Sequence, residues 1–289
     1  MIPSCRRLGL EHPQEGIVRG HFAPEPDALR ATVRNLRSGV EAPVPDAFGV
    51  PGTSLTVSEM VTGYGVAHAI QHFYHRRGDG LGGVRVVLEG FGNVGASCGV
   101  YLARAGARIV GIADERSALA APEGLGAYEI EELFLRRMGR LLPAVDHRLL
   151  PAADRDRLLD LPADVYVCAA VSGSLTMERL ARLAAAGVTV IACGANHPFH
   201  ERRLGSTCVA RQADRHFSVL ADFLANCGLA RAYSYLMENG ARPDADRIFK
   251  AVERTIQDTI DEVLARNGGR PRGLLAATVG LGLDRIGAP

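Results

Sequence analysis

Lysine is almost absent from this chain. Of its 33 basic residues, 32 are arginines and one is a lysine, Lys250. No apolar run approaches the roughly 20 residues that a bilayer span needs. The opening stretch, MIPSCRRLGLEHPQEG, carries two arginines but no apolar signal-peptide core, so the cytoplasm is the expected compartment. No C-x-x-C pair exists among the six cysteines, Cys5, Cys98, Cys168, Cys193, Cys208 and Cys227. Most lie in apolar runs and read as buried, reduced thiols. Charge of one sign is missing too. The formal net charge is +1 and both signs are scattered along the chain, which argues against nucleic acid or a membrane surface as a partner.

What is present is apolar residue in quantity. Hydrophobic side chains make up 47% of the 289 residues, enough to bury one large core or two modest ones. Residues 1–55 are rich in Pro, Gly and Arg, with one helix expected from Asp27 to Arg37. A turn-laden linker follows, and residues 57–77 carry an apolar stripe at helical spacing. From residue 84 onward, short apolar runs alternate with amphipathic segments. Strands are expected at 84–90, 107–114, 163–170 and 188–195, with a short one within VDHRLLP. Helices are expected at 93–105, 127–141 and 177–187, then from the apolar stretch 216–226 to about Asn239, at 244–266 and at 273–286. That alternation predicts an α/β fold of Rossmann type: a doubly wound, mostly parallel sheet covered on both faces. The expected division is a short N-terminal segment (1–55), a dinucleotide-binding domain (56–240) and C-terminal helices packed on it (241–289). Too little chain precedes residue 56 to form its own core, so a homodimer is expected.

One motif carries chemistry. The apolar strand ends directly at Gly90-Phe91-Gly92-Asn93-Val94-Gly95, a G-x-G-x-x-G turn that opens a helix. The next strand ends in Asp114, 24 residues after Gly90. In such a motif the first glycine permits the tight turn and the second lets the backbone approach a pyrophosphate. The third lets helix and strand pack closely, while the helix N-terminus faces the phosphates. An acidic residue at Asp114 accepts from ribose hydroxyls and favours NAD. Arg116 beyond it keeps NADP as the alternative.

Five local patterns then resemble the glutamate/leucine/phenylalanine/valine dehydrogenases, in that family's order. They are Thr62-Gly63-Tyr64-Gly65-Val66, the turn Gly90 to Gly95, Ala169-Ala170, Gly194-Ala195-Asn196, and Asp222-Phe223-Leu224-Ala225-Asn226-Cys227-Gly228. Ala276 to Ile286 is similar to the family's last helix, so the resemblance covers about residues 55–289. It implies that Thr62 and Asn226 face the nicotinamide carboxamide. It also implies that Asn196 contacts the nicotinamide ribose or ring, and that Ala169 and Ala170 line the groove. Both asparagines also end apolar runs, the crevice position where doubly wound sheets bind ligands.

The departures from the family bear on the reaction. The family's lysines belong to an N-terminal substrate domain, and no lysine precedes Lys250 here. Pro43-Val44-Pro45-Asp46 resembles the family's catalytic turn, yet Asp46 stands only 16 residues before Thr62. Asp46 is therefore a candidate catalytic residue or an ordinary turn aspartate. Leu229 replaces a family glycine. Hydride transfer to a carbonyl or imine needs a donor or cation near the developing charge. His197, His200, Arg231 and Tyr233 are the nearby candidates, with His197 first. His68, His72 and His75 share a helical face but have no further ligand in view, so no metal is expected. Two functions remain open. One is an NAD(P)-dependent oxidoreductase acting on a small amino, imino or keto substrate, serving a specialised biosynthesis. The other is a non-catalytic dinucleotide-binding module whose partner supplies the missing domain.

Overall fold

A computed structural model describes residues 36–143, 148–203, 205–239 and 244–287. The expected helix from Asp27 lies outside these up to residue 35; residues 36–40 are helical, with Leu36 and Val40 buried. The first full element is α1, Val57–Arg76. It opens on a capping box in which the Thr56 N–H donates to the Glu59 carboxylate at 2.9 Å, satisfying backbone groups that a helix start leaves open. Then follow β1 (Arg85–Glu89), α2 (Asn93–Arg104), β2 (Arg108–Ala113), β3 (Ala118–Leu125) and α3 (Ala127–Arg136). Next come β4 (Leu149–Leu150), a 3-10 stretch (Ala152–Asp160), β5 (Val165–Cys168), α4 (Met177–Ala185) and β6 (Val190–Cys193). The chain continues through α5 (Cys208–His216), β7 (Ser218–Leu220), α6 (Asp222–Ala225), α7 (Gly228–Glu238), α8 (Ala245–Arg266) and α9 (Leu274–Gly287).

The strands form one sheet in the order β4-β3-β2-β1-β5-β6-β7. From β2 to β7 every pairing is parallel, while β3 and β4 pair antiparallel at the edge. The period of two sends alternate side chains to opposite faces. Val86 and Leu88 join a core with Met60, Ile70, Val100 and Phe249, under α1, α2 and α8. Val87 joins a second core with Tyr166, Leu183, Ile191 and Phe217, under α4 and α5. Both faces are thus covered, as the doubly wound reading requires. The C-terminal helices share the first core, since Val252, Ile256, Ile260 and Leu281 are buried within it.

Five features depart from the sequence reading. Strand β3 was not foreseen, because ALAAPEGL is alanine-rich and holds Pro122, poor strand chemistry. Position near the sheet edge tolerates it: β3 pairs along β2 on one side, but on the other only with the two residues of β4. The helix expected over 127–141 stops at Arg136, since Arg137 is extended and Gly139 turns at φ 65. The 3-10 stretch and α5 were also unforeseen. Finally, Cys98, Cys168 and Cys193 are buried as expected, but Cys208 is exposed at the start of α5.

The starts of β1, β5 and β6 meet at Asp164. Its carboxylate accepts from the Arg85 N–H at 2.8 Å and from the Arg85 guanidinium at 3.1 Å. Its carbonyl accepts from the N–H groups of Thr189 and Val190 at 2.9 and 3.1 Å. Burial pushes the Asp164 carboxyl upward, but the Arg85 hydrogen bonds outweigh that and hold it below the ordinary value. A carboxyl depressed in the folded state adds stability above its unfolded pKa, about 3.9, which is lost as pH falls through the folded value. Replacing Asp164 with Asn should lower the urea midpoint at neutral pH and shrink the difference from the parent as pH drops below about 4. An equal difference at every pH would show that the carboxylate is not the source.

Candidate functional site

The register of the parallel strands builds the site's floor. Glu89 pairs with Cys168, and Cys168 with Cys193. The next residues, Gly90, Ala169 and Gly194, therefore emerge side by side at the carboxyl edge. Here chain order reverses across the sheet, with β2 on one side of β1 and β5 on the other, and a crevice opens at such a point. Gly90 holds φ 108, and a Cβ there would lie 2.5 Å from the Ala169 carbonyl oxygen. A Cβ on Gly95 would lie 1.9 Å from the Gly90 carbonyl oxygen. These contacts leave room for no other residue and seat α2 against the ends of the strands.

Gly92 is different. Its φ is −74, an ordinary value, and a Cβ there would meet only Arg140 Cγ, at 3.8 Å. The space beside it is open, at the N-terminus of a helix with no side-chain cap and no acidic residue in its first turn. Arg137 adjoins this turn. Its guanidinium lies over the Phe134 ring at 3.9 Å and donates to Asn93 Oδ1 at 3.4 Å. Its Nη1 is buried with no partner, and burial lowers its pKa. Open space at Gly92, free helix N–H groups and an unpaired buried donor together fit a phosphate-bearing group.

Beyond the turn a cleft of about 540 Å³ continues across the sheet edge. Val94, Ala169, Ala170 and Gly194 form its floor, and Thr62 from α1 one wall. Asn196 and Asn226 lie in it, and the Asn226 amide donates to Asn196 Oδ1 at 3.0 Å. Thirty residues separate them in the chain, and β6, β7 and α6 bring them together. The lining also includes Leu229, which replaces the family glycine, Ala230 beside it, and Ser172, which the sequence reading did not single out. The Ser172 hydroxyl donates to the Asn196 carbonyl at 2.6 Å, fixing that loop. Among the described residues, no charged side chain lines this cleft.

Two expected cofactor residues are engaged by the protein itself. Asp114 is only 5% exposed. One carboxylate oxygen accepts from the N–H groups of Arg116 and Ser117 at 2.7 and 2.6 Å, and the other from the Leu142 N–H at 2.7 Å. The Ser117 hydroxyl adds a contact to each oxygen at 3.2 Å. Its own turn and the distant Leu142 thus engage the carboxylate, leaving it little capacity for a ribose. Phe91 is buried in the core, so only its backbone can face a ligand.

The candidate catalytic residues do not converge. His197 is exposed and follows Asn196 in the chain, but is not itself among the cleft residues. Asp46 is exposed in a turn and is not among the cleft residues. Tyr233 is half-buried one turn beyond Ala230 and is not among the cleft residues; burial raises its pKa while Arg37 lowers and Glu41 raises it. Arg231 turns away to Glu238 and Thr255. The histidine face of α1 meets α8. His72 Nε2 lies 2.8 Å from Asp261, His68 Nε2 lies 3.1 Å from the Gln257 amide, and the Tyr64 hydroxyl donates to Glu253 at 3.0 Å. Among the described residues, no group of three or more His, Cys, Asp or Glu is placed to hold a metal.

This geometry can be set beside known proteins. The family model for glutamate/leucine/phenylalanine/valine dehydrogenase matches residues 52–286. The chain belongs to this family. One curated relative is the cryptic catabolic NAD-specific glutamate dehydrogenase GudB of Bacillus subtilis, 32% identical over 170 residues. That match covers 59% of this chain and 37% of the relative. A solved glutamate dehydrogenase superposes with TM-score 0.64 at 20% identity, covering 94% of this chain and 60% of that one. The hetero-hexameric glutamate dehydrogenase of Thermus thermophilus gives TM-score 0.60 at 24% identity, covering 79% and 52%. These two likenesses show the fold. The matched part thus amounts to 37% of the curated dehydrogenase and to 52% and 60% of the solved ones.

His197 is the one non-glycine residue with left-handed backbone among those described, at φ 49. Its N–H donates to Asp222 Oδ2 at 2.9 Å, and its carbonyl accepts from the Gly173 N–H at 2.8 Å. The conformation costs an ordinary L-residue roughly 1–2 kcal/mol, while asparagine tolerates it. Replacing His197 with Asn should leave the melting temperature nearly unchanged, whereas Val should destabilise by about 1–2 kcal/mol. Equal losses in the two variants would count against a backbone-imposed turn.

Proposed function

We propose that this chain binds a nicotinamide dinucleotide along the edge of β1, β5 and β6 and acts as an oxidoreductase on a small amino, imino or keto substrate. The observation that carries the reading is the open space at Gly92 beside an uncapped helix and the unpaired Arg137 donor. The N–H groups of α2's first turn, with Arg137, would hold the pyrophosphate. Thr62, Asn196 and Asn226 would orient the nicotinamide end, and Ala169, Ala170 and Val94 would give it a close apolar floor. When bound, the dinucleotide supplies or accepts the hydride. NAD is the preferred cofactor, in line with relatives named NAD-specific. The engaged Asp114 leaves NADP as the alternative.

His197 is the proposed proton donor or acceptor, because it is exposed and directly follows the cleft residue Asn196. Asp46 and Tyr233 keep only a conditional place in the proposal, since each would have to move to reach the cleft. A homodimer in the cytoplasm and a role in a specialised biosynthesis complete the reading. A second reading has its own support. The neutral lining of the cleft among the described residues favours a dinucleotide-binding subunit whose partner supplies the charged groups for substrate.

Replacing Gly92 with Ala should leave the melting temperature unchanged, because the added methyl group has room. It should weaken NADH, followed by its fluorescence, by about tenfold or more, because the methyl stands where the pyrophosphate approaches. Unchanged affinity would remove the turn from the binding site. Turnover is followed by nicotinamide absorbance with a panel of imines, and of 2-oxo acids with ammonia. Tight NADH binding without turnover of any of these would favour the second reading. If turnover is seen, the His197→Asn variant should keep NADH affinity and lose at least about tenfold in kcat; full activity would exclude His197 as the acid.

A further inference from the structure

A second concave site lies on the far side of α7, away from the cleft. Helices α7 and α8 bound a groove of about 600 Å³. Four cationic side chains converge on it: Arg231 from α7, and Arg247, Lys250 and Arg254 from α8. On α8 these occupy positions i, i+3 and i+7, a single helical face. Lys250 is the chain's single lysine. Two carboxylates, Glu238 and Asp258, share the groove, so cations outnumber them four to two.

The cations differ in how they are held. Arg231 is only 23% exposed and is pinned by Glu238 at 3.3 Å and by the Thr255 hydroxyl at 3.1 Å. Arg247 pairs with Asp244 at 3.1 Å. Lys250 and Arg254, one turn apart, have no ion-pair or hydrogen-bond partner among the described residues. Tyr235 and Asn239 supply a ring and an amide beside them. The groove thus offers one fixed guanidinium, two free cations facing the same space, and neutral polar contact. Its charge contrasts with the uncharged lining of the cleft. Convergent cations in a concavity concentrate anions more strongly than the same charges on a convex face.

We propose that this groove is a binding site for a small anion with two or more adjacent phosphate groups. Lys250 and Arg254 take the phosphates, and Arg231 fixes one end of the site. The groove stands independently of the dinucleotide reading. One helix joins the two sites, since the first turn of α7 carries Leu229 and Ala230 into the cleft while Arg231 and Tyr235 face the groove. If occupation of the groove shifts α7, affinity in the cleft changes with it, and by linkage the reverse then also holds.

Sodium tripolyphosphate is the probe, titrated calorimetrically into the full chain at constant ionic strength, with NADH saturating so that the cleft is not available to it. Saturable one-site binding is expected. The Lys250→Ala/Arg254→Ala double variant, both positions being exposed, should keep the parent melting temperature and weaken binding by at least about tenfold; Lys250→Arg should retain it. Equal affinity of parent and double variant, or a weak signal that never saturates, would mean an adventitious ion only. Citrate binding as tightly as tripolyphosphate would overturn the phosphate assignment. In separate NADH titrations at fixed tripolyphosphate concentrations, an unchanged NADH affinity would overturn the link through α7. If NADH itself fails to bind, the titration is run on the free protein, and that failure counts against the dinucleotide reading alone.

Discussion

The structure depends on a close approach that only glycine allows. The Gly90 carbonyl occupies the space where a Cβ on Gly95 would stand. That contact draws α2 onto the ends of β1 and β5. The same device recurs one layer out, where a Cβ on Gly63 would lie 1.9 Å from the Ser97 hydroxyl and 2.4 Å from the Val94 carbonyl oxygen. Helix α1 therefore lies almost against α2, and Thr62 is carried to the cleft wall. On the opposite wall a Cβ on Gly228 would lie 2.4 Å from the Val61 carbonyl oxygen, so α7 abuts the same helix. A cleft walled by three closely seated helices has little freedom to drift, and the placement of Thr62, Asn196 and Asn226 follows from that.

Within this frame the glycines divide into two kinds. Gly90, Gly95, Gly63 and Gly228 are required by the protein's own packing. Gly92 is not, because neither its backbone angle nor its surroundings demand it. A position where the fold would accept a methyl group, but the motif has none, points to something outside the chain. The same logic applies to Arg137, whose buried Nη1 has no partner in the protein.

The electrostatics fall into separate compartments. The cleft is neutral, and its order comes from hydrogen bonds between neutral groups, chiefly Asn226 to Asn196 and Ser172 to the Asn196 carbonyl. Charged contacts lie outside it: Asp164 with Arg85 at the strand starts, Asp261 with Arg76 between α1 and α8, the basic groove between α7 and α8, and the pair of buried Glu89 with Arg179 at the end of β1. Membership of the amino-acid dehydrogenase family accounts for the dinucleotide-binding architecture. The neutral cleft leaves the source of any charge that substrate chemistry needs to other residues or to another chain.

Sequence alone determined the features that rest on local pattern. Apolar runs of strand length marked β1, β5 and β6, because burial on both faces requires continuous hydrophobicity. The spacing of Gly90, Gly92 and Gly95 marked the turn, because steric exclusion of Cβ is a property of the residue itself. Strand β3 was illegible, since its alanines and Pro122 form a strand only because β2 presents an edge to pair with. Tertiary structure alone decided which polar groups are free. Asp114 stands at the expected place in the sequence, but its carboxylate is used up by Arg116, Ser117 and Leu142. Tyr233 and Arg231 follow Asn226 closely in sequence yet point elsewhere, because the pitch of α7 directs only Leu229 and Ala230 into the cleft. Residue type and spacing set what a side chain can do; its neighbours in space set whether any of that capacity remains for a ligand.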